Sequence, residues 1–182
     1  MRVLRSLVVM TMLVAQVVHG QGWTVDAEHS FVKFHIRNFG LEVEGSLGNI
    51  RGSVTFDRNN LPASSLRLSA DANTIDTGIA LRDRHLQKPE YLDARNHKTL
   101  EFTSTNIAST KNMDEVIVHG NLTIKNTTKQ IQVLVKLVPS GTATNFEGSF
   151  TINRLDYKVG SSSISLGDEV VVDFKLAFLL NP

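Results

Sequence analysis

The stretch VIVHGNLTI, Val116–Ile124, decides the fold. Val116, Val118, Gly120, Leu122 and Ile124 share one parity, while His119, Asn121 and Thr123 share the other. Successive side chains on a strand point to opposite sides, so alternation of this kind describes a strand with one buried and one wet face. The pattern recurs in both directions along the chain. Upstream, VKFHI sets Val32, Phe34 and Ile36 on one face. Ile50, Gly52, Val54 and Phe56 follow, then Leu66, Leu68, Ala70 and Ala72. Downstream come Ile131, Val133, Val135 and Leu137, then Phe146, Gly148, Phe150 and Ile152. A last run goes from Val170 through Val172, Phe174, Leu176 and Phe178 to Leu180. Turn-forming clusters separate these runs at Asp57–Asn60, Lys111-Asn112, Lys125–Lys129, Ser140–Thr144 and Gly167-Asp168. About eight strands with short links and no strand–helix–strand rhythm predict an all-β, antiparallel sandwich or closed barrel.

One segment breaks the pattern. From Asp76 to about Asn96 there is no period of two, and the chain reads RDRHLQKPEYL at Arg82–Leu92. Asp76-Thr77 is placed to cap a short helix running through Leu86. Lys88-Pro89 ends that helix, because a residue before proline avoids the helical region. Pro89 then opens a second turn at Glu90–Asp93. Ile79, Leu86 and Leu92 give the segment an apolar side, which suits packing over one end of a barrel.

The first twenty residues have their own character. Arg2 and Arg5 precede an uncharged, mainly apolar run from Ser6 to Val18, and Val18 and Gly20 suit cleavage after Gly20. That is the layout of a secretory signal peptide, and the run is short for a membrane span. Residues 21–182 then form one domain, large enough to bury a core. The whole chain has 19 Lys and Arg against 18 Asp and Glu; without Arg2 and Arg5 the balance is 17 to 18, or −1. Such a chain offers no electrostatic footprint for nucleic acid. It contains no cysteine, which excludes disulfides, thiolate zinc sites, thiol catalysis and a lipidated N-terminal Cys. No second apolar run is long enough to span a membrane.

Three chemistries compete for the polar and aromatic residues. Catalysis through Asp83 and His85 needs a nucleophile and an oxyanion donor, and there is neither a Gly-x-Ser-x-Gly nor a Cys. Two residues apart, Asp83 and His85 diverge on a helix. The histidines outside the leader, His29, His35, His85, His97 and His119, include no i, i+4 pair, so a metal would need a site assembled across strands. The phenylalanines, Phe34, Phe56, Phe102, Phe150, Phe174 and Phe178, are spread over separate strands. They pack a core or, since an eight-stranded barrel is just wide enough to hold one ligand, line an apolar pocket. The residues alone leave both readings open.

The order of motifs adds a resemblance. HSFVKFHI at 29–36 is followed by a strand ending Gly52-Ser-Val-Thr-Phe56-Asp57, then by ANTIDTGIALRDRHLQKPEYLD at 72–93 and LEFTSTNI at 100–107. VHGNLTIKNTTKQIQV at 118–133 and FEGSFTINRLDYKVG at 146–160 complete the set. This resembles the YceI-like family of exported lipid-binding proteins, over essentially all of residues 21–182. The resemblance implies an eight-stranded, antiparallel, lipocalin-like barrel with a helical segment near residues 77–95. It implies a polyisoprenoid or other long-chain lipid in the barrel lumen, no cofactor, no metal and no chemistry, and a homodimer is common among characterised members. The expected location is the periplasm or the cell exterior. The inward parity then names Phe34, Ile36, Phe56, Leu68, Phe102, Leu122, Phe150 and Leu176 as the lining. Arg82, Asp83 and His85 would pair with one another, fix the helical segment or meet a head group, with Leu86, Tyr91 and Leu92 turned toward the lumen. Departures from the family pattern fall at Asn38-Phe39 and His97-Lys98, in loops. The rival functions are a lipid-modifying enzyme using Asp83 and His85, and a stress-response interaction protein with a filled barrel.

Overall fold

The computed structural model describes residues 22–141 and 143–180. The expected leader and its cut after Gly20 lie outside the described residues. Among the described residues nine antiparallel strands occur in chain order: β1 (Gly22–Asn38), β2 (Leu41–Leu47), β3 (Arg51–Thr55), β4 (Ser65–Asp71), β5 (Thr99–Ser109), β6 (Glu115–Ile124), β7 (Thr127–Ser140), β8 (Ala143–Asn153) and β9 (Leu166–Leu180). Each pairs with the next in space, and β1 pairs with β9 from Trp23↔Leu180 to Asn38↔Leu166, which closes the sheet into a barrel. Closure leaves one strand edge, that of β2, whose outer side makes the Ser46↔Asp76 bridge.

The barrel has eight positions because β2 and β3 share one. β1 is long: its second half pairs with β2 (Val32↔Leu47 to Asn38↔Leu41) and its first three residues pair with β3 (Gly22↔Thr55 to Thr24↔Ser53). Between β2 and β3 the chain steps out of the ladder at Gly48–Ile50. Thr74 Oγ1 accepts the Gly48 N–H at 2.7 Å, and the Gly48 carbonyl accepts the Asp71 N–H at 3.2 Å, so the step leaves both backbone groups satisfied.

The alternation read in VIVHGNLTI is realised in β6, where Val116, Val118, Gly120, Leu122 and Ile124 are all buried. Inward side chains form two clusters at two heights. At one end Trp23, Val54, Phe56, Val118, Val135, Leu137, Phe146 and Phe178 pack into a solid plug. Phe146 is its centre, edge-on to Phe56 (centroids 5.3 Å apart) and to Phe178 (5.0 Å), the arrangement aromatic quadrupoles favour. At the other end Ile75, Leu92, Leu122, Ile124 and Tyr157 form a looser cluster with Phe34, Leu86, Phe102 and Phe150 around it.

The irregular segment lies over this second end. It contains the one α-helix among the described residues, α1 (Ala80–Leu86). The helix starts later than the sequence suggested. Its N-cap is Ile79, which makes no side-chain cap, and Asp76-Thr77 serve other bonds. After Gln87 the chain folds back in tight turns, with the Leu92 N–H on the Leu86 carbonyl (3.0 Å) and the Ala94 N–H on that of Gln87 (3.0 Å). Gly78, at φ 77°, makes the left-handed bend that leads into α1.

Candidate ligand-binding site

The barrel is filled at the plugged end and hollow beyond it. A cavity of about 270 Å³ runs from the face of Phe146 to the end covered by α1. Its walls are apolar side chains of every barrel position: Val32, Phe34 and Ile36 from β1, Val43 and Leu47 from β2, Leu66 and Leu68 from β4, Phe102 from β5, and Leu122 and Ile124 from β6. The far wall is Ile131 and Val133 of β7, Phe150 and Ile152 of β8, and Val170, Val172, Phe174 and Leu176 of β9. Polar residues of the lining are Ser69 of β4 and Glu101 of β5, with Asn38, Thr77, Arg82 and Arg154 near the open end.

Glycines hold the bore open. Phe34 of β1 stands opposite Gly45 of β2, and Phe174 of β9 opposite Gly148 of β8. A Cβ built at Gly45 would lie 2.3 Å from the Phe34 ring, one at Gly120 2.3 Å from that of Phe102, and one at Gly148 2.8 Å from that of Phe174. All three are far inside normal carbon–carbon contact. The rings therefore lie flat on the wall, in spaces that only a residue without a side chain leaves, and do not project into the lumen.

Thr77 organises the open end. Its hydroxyl accepts from Arg82 Nε at 2.7 Å and donates to Asp83 Oδ1 at 2.5 Å. Its carbonyl accepts from Arg82 Nη2 at 2.7 Å, and its N–H donates to the same Asp83 oxygen at 2.9 Å. Arg82 and Asp83 thus share Thr77, and no direct ion pair joins them among the described residues. Arg82 borders the cavity, and its Nη1 has no protein partner among the described residues. Asp83 does not border the cavity and braces the turn into α1 through Thr77. His85 is exposed, with its ring 4.8 Å from that of Tyr91; Tyr91 itself lines the cavity. No bond joins Asp83 to His85 among the described residues.

Of the residues the sequence named, Phe34, Ile36, Leu68, Phe102, Leu122, Phe150 and Leu176 border the cavity, as do Arg82, Leu86, Tyr91 and Leu92. Phe56, Asp83 and His85 do not. Phe56 has the inward parity but sits in the plug, against Phe146. The sequence reading missed Arg154, which is only 3% exposed. Its guanidinium donates to the carbonyls of Gly167 (2.8 Å), Val159 (2.9 Å) and Leu166 (3.3 Å) and to Asp168 Oδ1 (2.8 Å). These bonds tie the 3-10 turn Arg154–Tyr157 to the start of β9 and fix one side of the opening. Burial pushes the Tyr157 phenol up to about 12, with the Asp156 carboxylate adding to the shift. His35 lies outside the barrel between Asp173 (3.1 Å) and Glu42 (3.5 Å). No group of three metal-ligating side chains is assembled among the described residues.

Known proteins share this architecture. The domain model described as YceI-like matches residues 23–178. A UPF0312 protein of Pseudomonas aeruginosa (strain LESB58) is 30% identical over 141 residues, which is 74% of this chain and 73% of its own. The protein YceI of Salmonella arizonae is 33% identical over 117 residues, 64% of this chain and 60% of its own. Among solved structures, Burkholderia cenocepacia BcnA superposes with a TM-score of 0.79 at 25% identity, covering 84% of this chain and 98% of that one. A polyisoprenoid binding domain from Saccharophagus degradans, implicated in plant cell wall breakdown, shares the fold, with a TM-score of 0.72 at 14% identity over 88% of this chain and 99% of that one. With the family match running from the first barrel strand to the last, this chain belongs to the YceI-like family.

Proposed function

We propose that the protein is an exported carrier that holds one long apolar amphiphile, a polyisoprenoid or fatty-acid-like lipid, tail-first in the barrel lumen, and performs no chemistry on it. The observation that carries this reading is the apolar cavity, plugged at one end by Phe146 and bordered near the other by Arg82. Apolar walls with a few polar groups at one end suit a ligand of that shape, since the tail supplies affinity and the head sets orientation. Each enclosed methylene contributes roughly 0.8 kcal/mol. Ten of them give about 8 kcal/mol, against an association cost of about 4–15 kcal/mol. Chains of that length are near the minimum that stays bound. A space of 270 Å³ is small for a long prenyl chain, so the lumen holds the tail end and the head-side remainder lies along α1, on which Arg82 sits. Arg82 Nη1 is the group proposed to meet the head.

The test is native mass spectrometry of gently purified protein, followed by organic extraction of whatever dissociates. A stoichiometric apolar adduct is expected, and the same spectrum shows whether the protein is a homodimer. An apo mass that also takes up no added prenyl alcohol or fatty acid refutes the carrier reading in favour of a structural role. The comparison with the polyisoprenoid binding domain supports the ligand class, and the basic and apolar leader of the sequence supports export.

A further inference from the structure

We propose that the open end of the barrel docks on a lipid bilayer, with Phe39 at the tip of the β1–β2 hairpin as the leading residue. The proposal rests on the carrier reading for its purpose, and on separate observations for its geometry. Phe39 and Gly40 form the two-residue turn between the paired residues Asn38 and Leu41. Both have positive φ, 51° and 77°. A turn of this kind favours Asn or Asp followed by Gly, and a bulky side chain in the left-handed region is an outlier. Phe39 takes that conformation and packs on nothing in return, for it is 80% exposed. A backbone held in a disfavoured state to present an aromatic ring to solvent points to a use for the ring.

Phe39 has apolar company. Its N–H donates to the Ser165 carbonyl at 2.7 Å, which sets the hairpin tip beside Ile164, a fully exposed side chain. Leu41 is exposed on the other side of the turn. Ile79 and Leu81, also exposed, flank the start of α1, on a segment that leaves the edge of β2 at the Ser46↔Asp76 bridge. Asn38, Thr77 and Arg82, neighbours of these residues in the chain, all border the cavity. The exposed residues therefore rim the opening of the lumen. At roughly 100 Å² each the five side chains expose about 500 Å², below the roughly 800 Å² per partner of a stable protein interface. They also surround a hole. A bilayer suits such a rim, because acyl chains fill the gaps and a lipid tail passes directly from leaflet to lumen. Arg37 and Glu42 flank the tip with opposite charges, so the leading hairpin carries no net charge toward anionic head groups.

The experiment is flotation of the purified protein with phosphatidylcholine vesicles at low and high salt, comparing wild type with Phe39→Asn, Phe39→Asn/Leu41→Ser and Met113→Ser. Met113 is as exposed as Phe39 but lies between β5 and β6, at the plugged end. Expected is vesicle binding by wild type that persists in high salt, a drop of at least tenfold in the double variant, and no change with Met113→Ser. Phe39→Asn keeps or raises the melting temperature, because Asn is the residue this turn prefers, and it also weakens flotation. The proposal is overturned if wild type does not float, if the double variant floats equally well, or if Phe39→Asn merely breaks up a dimer that never binds vesicles. Uptake of a prenyl alcohol delivered from ethanol separates the two readings. Wild type that takes up the alcohol without floating loses the docking alone. Wild type that floats but takes up no alcohol loses the carrier reading alone.

Discussion

Gly45→Ala tests how the lumen is kept open. An alanine Cβ at this position falls 2.3, 2.7 and 2.9 Å from Cζ, Cε1 and Cε2 of Phe34. Carbon atoms settle at about 3.5–4.0 Å, so the ring must withdraw by about 1.2–1.7 Å. At Gly120 and Gly148 a Cβ also meets backbone oxygens, of Thr103 and Leu134, at 2.7 Å. At Gly45 all three nearest atoms belong to the Phe34 ring, so a side chain yields and the ladder does not. The room available to that ring is the lumen. A hole of about 150 Å³ holds a benzene ring, so a ring turned fully inward removes about half of the 270 Å³. That excludes about four methylenes of a bound tail, or about 3 kcal/mol, which weakens binding more than a hundredfold. Stability changes little. Replacing Gly by Ala restricts the unfolded chain, a gain of about 0.4–1 kcal/mol. Mild overpacking, at about 1 kcal/mol where the ring has space, offsets it. The assay is a fluorescent-fatty-acid titration together with a thermal melt. The expected result is a melting temperature within about 4 °C of wild type, uptake lost, and uptake regained in Gly45→Ala/Phe34→Leu. Wild-type affinity in folded Gly45→Ala would show that the bore does not depend on this glycine.

Other perturbations read other parts of the molecule. Leu122→Asp or Phe150→Asp puts a carboxylate into the lumen wall, and both positions face the hollow half. Each is expected to abolish uptake while the β-sheet circular dichroism persists. Arg154→Met keeps the bulk of the stem but leaves three carbonyls and Asp168 without their donor; a loss of about 3 kcal/mol in a urea titration is expected, since each buried unsatisfied acceptor costs roughly 1–3 kcal/mol. Tyr157, raised to about 12 by burial, holds its proton more tightly in the fold than in the unfolded chain. Its contribution is complete below about pH 10 and is lost as pH rises toward 12. Urea midpoints are therefore expected to fall through that window in wild type and to fall less in Tyr157→Phe.

What the sequence could and could not tell follows from what periodicity measures. Parity reports which face of a strand is buried, and β6 and β7 follow it closely, while in β9 Ala177, of the outward parity, is buried between Leu176 and Phe178. Parity does not report height along the barrel axis. Phe56 and Phe150 share the inward parity, yet one packs into the plug and the other borders the cavity. The difference lies in their cross-barrel neighbours, Phe146 for one and an open lumen for the other. β2 escaped notice although Val43, Gly45 and Leu47 alternate, because its buried position, Gly45, has no side chain to register. The first half of β1 was hidden by the register shift between Asp26 and Phe31, which breaks the alternation before VKFHI restores it. Arg82 and Asp83 read as a candidate ion pair from adjacency, but the bond that matters runs through Thr77, five and six residues back, where a turn brings the hydroxyl between them. Arg154 carries no motif or spacing that marks it, and its burial depends on three carbonyls contributed by chain that follows it. The lumen is thus a property of pairs of residues from different strands. The same inward phenylalanine fills a barrel when it faces another large side chain, and lines a cavity when a glycine on the next strand lets its ring lie against the wall.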